Sequence, residues 1–157
     1  CKSLISLDLS KFNTNKVINM SHLFNECESL LSLDLSNFDT SSVINMSFMF
    51  NECILINYIN LRNFNTSNVI NMSHMFNYCK SLKSINLKAF DTRNVNNMSH
   101  MFNYCCSLLE IYFTKSDIVN RNVNMFFMFN FCVTLKELDL SKFVIENISK
   151  MLYMFNC

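Results

Sequence analysis

The stretch FDTSSVINMSFMFNECILI, residues 38–56, decides the fold because the chain contains close copies of it at a spacing of 26 residues. Self-similarity at a fixed period of about 20 to 50 residues is typical of stacked repeat proteins. The cysteines that mark the period, with a shift of one residue at the last two, are Cys1, Cys27, Cys53, Cys79, Cys105, Cys132 and Cys157. The sequence therefore predicts one repeat array over residues 1–157, in which each unit contacts only its neighbours.

The composition narrows the class of protein. Half of the residues are apolar, 16% are charged and the formal net charge is +1, so neither nucleic-acid binding nor disorder is favoured. The sequence has no apolar run of about 18 residues and thus predicts no membrane span. It begins in mid-pattern at Cys1 without a polar capping unit, so we expect a segment of a longer array. Gly and Pro are absent, and we expect Asn to adopt the left-handed turn conformations instead.

Each unit opens with the apolar pattern Leu-x-x-Leu-x-Leu or a close variant. Its last two apolar residues alternate with polar ones, as in SLDLS at residues 32–36, and this period of two predicts a short strand with one buried face. We expect six such strands to stack in parallel, about 4.8 Å apart. The alternating pairs in units two to six are Leu33 and Leu35, Ile59 and Leu61, Ile85 and Leu87, Ile111 and Phe113, and Leu138 and Leu140.

A helical period follows each strand. Asp39 and Thr40 offer oxygen acceptors that are typical of a helix N-terminus. The apolar residues after them fall within an arc of about 120° on a helix, and they are Val43, Met46, Met49, Phe50 and Cys53. The spacing predicts an α/β fold, a leucine-rich-repeat-like solenoid of about six strand-plus-helix turns with a parallel sheet. Ile44 lies off the arc, and an all-β solenoid with this segment extended is the alternative.

The reactive residue types occupy repeated positions rather than irregular, site-like ones. The cysteine column lies on the apolar face, which favours buried reduced thiols, although disulfides between adjacent turns remain the alternative. His22, His74 and His100 share their column with Phe48, which favours a solvated or packing role over metal binding. The sequence has no irregularly spaced Ser, His and acid set and no glycine for a phosphate loop. We therefore predict no enzyme, no cofactor and no metal site.

The whole unit, which ends in MFNYCKSL at residues 75–82, resembles the 26-residue repeat of BspA-type leucine-rich-repeat surface proteins. The resemblance implies a microbial cell-surface or extracellular solenoid for adhesion or protein binding, with a protein or host-surface ligand and no enzymatic activity. It implies no particular ligand-contacting residues. An intracellular leucine-rich-repeat scaffold and a structural spacer are the alternatives.

The outward-facing residues of the strands form the candidate binding face. Their content varies from unit to unit while the apolar neighbours stay fixed, and repeat arrays bind partners on such extended faces. Tyr58, Arg62 and Tyr112 belong to residue types that are enriched at binding hot spots. A merely solvated sheet face is the alternative. The candidate residues are Ser32, Asp34, Ser36, Tyr58, Asn60, Arg62, Ser84, Asn86, Lys88, Glu110, Tyr112, Glu137 and Asp139.

Overall fold

A computed structural model of the chain describes residues 1–113, 122–141 and 148–156. Its elements are β1 (Ser32–Asp34), β2 (Tyr58–Asn60), β3 (Ser84–Leu87), β4 (Glu110–Phe113) and a 3₁₀ turn (Ile148–Met151). β1 pairs with β2 and β3 pairs with β4, both in parallel, in two separate two-stranded sheets. The prediction of short parallel strands in successive units is confirmed for these four. The predicted strands of the first and sixth units are wrong, since residues 4–9 and 135–140 form no strand.

The segments predicted as helices consist of consecutive β-turns. The N–H of Met49 donates to the carbonyl of Met46 at 3.3 Å, and the N–H of Cys53 donates to that of Phe50 at 3.2 Å. Such bonds reach three residues back, whereas an α-helix needs bonds that reach four residues back. The first and last residues of each turn are buried, so turns also place apolar residues three apart. The helix prediction is therefore wrong, the described residues contain no α-helix, and the extended alternative does not fit these turns either.

A ladder of backbone hydrogen bonds joins the turns of each unit to those of the next. The N–H groups of Met46, Phe48 and Phe50 each donate to a carbonyl one repeat later, all at 2.9 Å, and that of Glu52 donates at 2.8 Å. The same four bonds recur at five successive junctions. We call this feature the turn ladder, and its donor segments are residues 20–26, 46–52, 72–78, 98–104 and 125–131.

Left-handed residues recur twice in each donor segment of the turn ladder. Phe48 and Glu52 have φ angles of 58° and 57°, and each is the third residue of its β-turn, where type II turns require positive φ. The expectation that Asn adopts this conformation is wrong, because the repeated positions hold His, Phe, Tyr and Glu. Asn instead bonds the backbone locally, as when Asn45 Oδ1 accepts from the N–H of Ser47 at 3.0 Å.

Side-chain columns fill the interior of the stack. The Phe50 ring lies 5.6 Å from Phe24 and 5.3 Å from Phe76 between ring centroids. The buried amide of Asn77 donates to Asn51 Oδ1 at 2.6 Å, and that of Asn103 donates to Asn77 Oδ1 at 2.7 Å. Each unit is thus hydrogen-bonded to its neighbours through side chains as well as through backbone.

Thr and Cys side chains also form hydrogen bonds between units. The Thr40 hydroxyl donates to the carbonyl of Asn65 at 2.9 Å and accepts from the N–H of Asn65 at 2.8 Å, so its predicted role as a helix cap is wrong. The Cys53 thiol donates to the carbonyl of Phe24 at 3.1 Å. The buried, reduced cysteine column is confirmed for Cys27, Cys53, Cys79, Cys105 and Cys132, whereas Cys1 is exposed and Cys157 lies outside the described residues.

Candidate binding surface

The predicted outward residues lie on one side of the paired strands. Ser32 and Asp34 are exposed on either side of buried Leu33, and Tyr58 is 57% exposed. The register places Ser32 beside Tyr58, Asp34 beside Asn60, Ser84 beside Glu110, and Asn86 beside Tyr112. The structure therefore brings these eight residues together as two sets of four. The two sets do not form one continuous ladder, because β2 and β3 belong to separate sheets.

The Asp and Asn column of this face also shapes the backbone. Asp34 Oδ1 accepts from the N–H of Ser36 at 2.9 Å, and Asn86 Oδ1 accepts from that of Lys88 at 3.0 Å. Asp34 Oδ1 further accepts from the Asn60 amide at 2.9 Å. The pKa of Asp34 is lowered, first by the hydrogen bonds from Ser36 and to a smaller extent by Asn60 and by the charge of Arg62. This column turns the chain at the ends of β1, β2 and β3, so Asp34, Asn60 and Asn86 have a structural role whether or not they bind a partner.

Tyr112 is the centre of a small polar group on β4. Its hydroxyl donates to the Glu110 carboxylate, and this bond raises the pKa of Tyr112. Lys88 Nζ lies 5.5 Å from the centroid of the Tyr112 ring, within reach of a cation–π interaction. Arg62 and Lys88 are exposed, while Ser36 is half-buried. The exposed face thus carries aromatic, acidic and basic groups within a few residues of one another.

Glu137 and Asp139 lie across a cleft from β4 rather than on a sixth strand. The cleft has a volume of about 870 Å³, and its lining includes Glu110, Tyr112, Glu137 and Asp139 from the predicted face. Leu109, Lys136 and Leu138 also line it, and the sequence reasoning did not select them. The irregularity that the sequence shows near this junction is the cysteine spacing, which is 27 residues rather than 26 between Cys105 and Cys132.

A second groove, of about 530 Å³, lies on a different face that the sequence reasoning missed. It is lined by Ser42, Ile44, Asn68, Ile70, Asn94 and Asn96. Ile44 and Ile70 are 43% and 42% exposed. The position of Ile44 off the predicted helical arc, which Ile70 repeats one unit later, was the available signal, and the exposure of both side chains explains it.

The Cys column lies in the packed interior, whereas the His column is a stack of rings at its edge, where His22 is exposed and His74 and His100 are half-buried. His74 stacks between Phe48 and His100, with ring centroids 4.3 and 4.5 Å away, which confirms the packing interpretation. Burial, and then the proximity of His100, lowers the pKa of His74 to about 4. Burial, with a further contribution from Cys27, raises the pKa of the Cys53 thiol to about 12, and a thiol that stays protonated is a poor nucleophile. Within the described ranges, no three His, Cys, Asp or Glu residues are grouped so that they could hold a metal ion.

The comparisons with known proteins give one match. The family described as "Mycoplasma protein of unknown function, DUF285" matches residues 1–115 and again residues 83–157, which together span the chain. Neither a curated protein nor a solved structure matches the chain. Within residues 1–113, 122–141 and 148–156, no helix has the length and apolar character that a membrane-spanning helix requires.

Proposed function

The chain belongs to the family described as "Mycoplasma protein of unknown function, DUF285", and we propose that it is a non-enzymatic protein-interaction array on a microbial cell surface. In this proposal the stacked units form a solenoid of the BspA-type leucine-rich-repeat class. The strand face binds a protein or a host-surface ligand, and the turn ladder holds that face in place.

The contrast between variable and constant columns carries this proposal. Along the strand face the column that starts with Ser32 continues with Tyr58, Ser84 and Glu110, all of them exposed. The buried column beside it holds only Leu or Ile in β1 to β3. An exposed face whose chemistry changes from unit to unit on a constant core is what an extended recognition surface requires.

The uninterrupted turn ladder favours a structural spacer as the second candidate. A spacer needs only the continuous stack, and the exposed strand residues would then have no partner. An intracellular scaffold would use the same face as the adhesin, and the two differ in cell location. Antibody labelling of intact against permeabilised source cells separates them, since only a surface protein is labelled on intact cells.

The test of the strand face compares two triple variants. Tyr58→Ser, Arg62→Ser and Tyr112→Ser remove the large exposed side chains of the strand face. Ile44→Ser, Ile70→Ser and Asn96→Ser make a matched change at exposed positions of the second groove. The measurement is the binding of fluorescently labelled chain to cultured animal cells.

We expect the strand-face triple to lose most of the binding and the groove triple to keep it. Loss of binding only in the groove triple would show that the other face is the binding surface. Absence of binding by the unsubstituted chain, together with labelling of intact source cells, would favour the spacer.

A further inference from the structure

The junction between the fifth and sixth units is closed on one side and open on the other. On the turn side, the N–H of Phe129 donates to the carbonyl of Met154 at 2.9 Å, and the rings of Phe129 and Phe155 stack at 5.6 Å. On the strand side, among the described residues, no backbone hydrogen bond joins residues 109–112 to residues 135–138. The Thr134 hydroxyl donates a hydrogen bond to the carbonyl of Leu108 at 2.8 Å. The two units separate after this bond.

The opening exposes part of the core. Ile111 is half-buried, whereas Ile85 in the same column is 2% exposed. Phe113 and Leu138 are half-buried as well, and with Ile111 they pack against the edge of the core. The cleft therefore has apolar surface along β4, and its volume of about 870 Å³ lies within the range of sites that bind ligands.

The polar lining of the cleft is mainly acidic. Glu110, Glu137 and Asp139 contribute three carboxylates, against one ammonium group from Lys136. The acidic residues come from both walls, since Glu110 lies on β4 and the other two lie in the sixth unit. A ligand that fits between the walls is therefore expected to carry positive charge as well as apolar surface.

We propose that this cleft binds a short extended peptide segment of a partner protein, with basic and apolar side chains in alternation, which adds to β4 as a further strand. The inference rests on the proposed function, since it assigns a partner class to one end of the strand face. An added strand bonds through its backbone to residues 109–112, which line the cleft, and places alternate side chains on opposite faces. Its apolar side chains cover Ile111 and Leu138, and its basic side chains reach Glu110 and Glu137.

The test uses a fluorescein-labelled peptide, Lys-Val-Lys-Val-Lys-Val, and measures its binding to the unsubstituted chain by fluorescence anisotropy. Two probes act as controls, the same peptide with Glu in place of Lys and the same peptide with N-methylated backbone amides. The double variant Glu110→Gln and Glu137→Gln removes one charge from each wall. The matched variant Asp8→Asn and Asp39→Asn removes two charges from units far along the chain from the cleft, at positions where Asn60 and Asn65 make the same turn contacts in other units.

We expect the cleft variant to bind the Lys peptide at least tenfold more weakly and the matched variant to bind it like the unsubstituted chain. We expect no binding of the Glu peptide and strongly reduced binding of the N-methylated peptide. Equal weakening in both variants would overturn the proposal, because it indicates diffuse charge attraction. Self-association without peptide binding would overturn it in favour of a second copy as the occupant.

The failure of this proposal can be told apart from failure of the proposed function. If the cleft does not bind the peptide, but Tyr58→Ser with Arg62→Ser still abolishes cell binding, the strand face is a binding surface and the peptide cleft is wrong. If the cleft variant loses the peptide while no strand-face variant affects cell binding, the cleft stands and the adhesion proposal fails.

Discussion

The turn side and the strand side of the molecule are built in opposite ways. On the turn side, four backbone hydrogen bonds join every pair of neighbouring units at five junctions. On the strand side the pairing is interrupted, since β1 and β2 form one sheet, β3 and β4 form another, and a cleft follows β4. Continuity between units therefore comes from the repeated β-turns rather than from the sheet, the reverse of what the sequence suggests.

The two sides differ in whether the same residue type recurs from unit to unit. On the turn side, Phe76 and Asn77 are buried and each contacts its own residue type in both neighbouring units. On the strand side, only the inward positions are constant. Because the turn side joins the units, the exposed residues of the strand side can vary in sequence. The proposed function requires such a variable face on a constant stack.

The same substitution, Asn to Asp, at one buried and one exposed position tests this comparison. Asn77→Asp places a carboxylate beside Asn51 Oδ1 and removes a donor from the buried amide ladder. Because an uncompensated buried charge costs about 3–5 kcal/mol, we expect a marked loss of stability in urea unfolding followed by circular dichroism. Asn86→Asp is the control on exposed β3, where the column already contains Asp34, and we expect a change below about 0.5 kcal/mol.

Equal losses in the two variants would contradict the assignment of the constant ladder to the turn side. A loss of stability only in Asn86→Asp would instead assign the constant ladder to the strand side. The circular dichroism spectrum of Asn86→Asp should overlay that of the unsubstituted chain.

The two sides should also respond to acid in different pH ranges. The pKa of His74 is lowered to about 4 from an ordinary value of 6.5. As the pH falls from about 6.5 to about 4, the unfolded chain takes up a proton that the folded chain does not, so the folded chain loses stability. Allowing for the partial exposure of the ring, we expect a loss of about 1–2 kcal/mol. Asp34 has a lowered pKa, so its contribution is lost only below about 3.8.

The double variant His74→Phe and His100→Phe separates these ranges, because Phe already occupies the same column at Phe48. We expect its unfolding midpoint to vary less between pH 7 and pH 5 than that of the unsubstituted chain. An identical pH dependence in both chains would show that the stacked His column is not the source. A pH titration of the chemical shifts of the His74 ring by NMR measures its pKa directly.

A change from Glu to Gly should have opposite signs on the two sides. Glu52 has φ of 57°, a conformation that costs a non-glycine residue about 1–2 kcal/mol and costs glycine almost nothing. After the greater entropy of glycine in the unfolded chain is subtracted, we expect Glu52→Gly to stabilise by about 0.5 kcal/mol. Glu110→Gly lies within β4, where glycine destabilises by about 0.5–1 kcal/mol. Thermal unfolding measures both, and destabilisation by Glu52→Gly would contradict the left-handed turn.

The repeat and its buried side were predictable from the sequence, but the backbone of the turn side was not. Val43, Met46 and Met49 are buried as predicted, because their burial depends on spacing alone. Two consecutive β-turns and one helix place apolar residues at the same intervals, so the pattern does not distinguish them. The residues around Phe48 give no sign of its positive φ, because an aromatic side chain disfavours that conformation. The hydrogen bonds and ring contacts that hold Phe48 come from neighbouring units.

The strand face was predictable because alternation along β1 and β3 determines which residues point outward. The cleft was not, because it depends on the separation of β4 from residues 136–139, and the apolar pattern of the sixth unit is as regular as that of the fourth. The fifth unit also departs from the repeat in the sequence, with Ser116 where the other units have Phe, and this position lies outside the described residues.

Hydrogen exchange of the backbone amides, residue by residue, tests most directly whether the turn ladder holds the units together. We predict that the amides of Met72, His74, Phe76 and Tyr78, which donate to the next unit, exchange only through global unfolding. We predict that the amides of β2, at the interruption between the two sheets, exchange faster through local opening. Slow exchange in β2 with fast exchange at His74 and Phe76 would contradict the account.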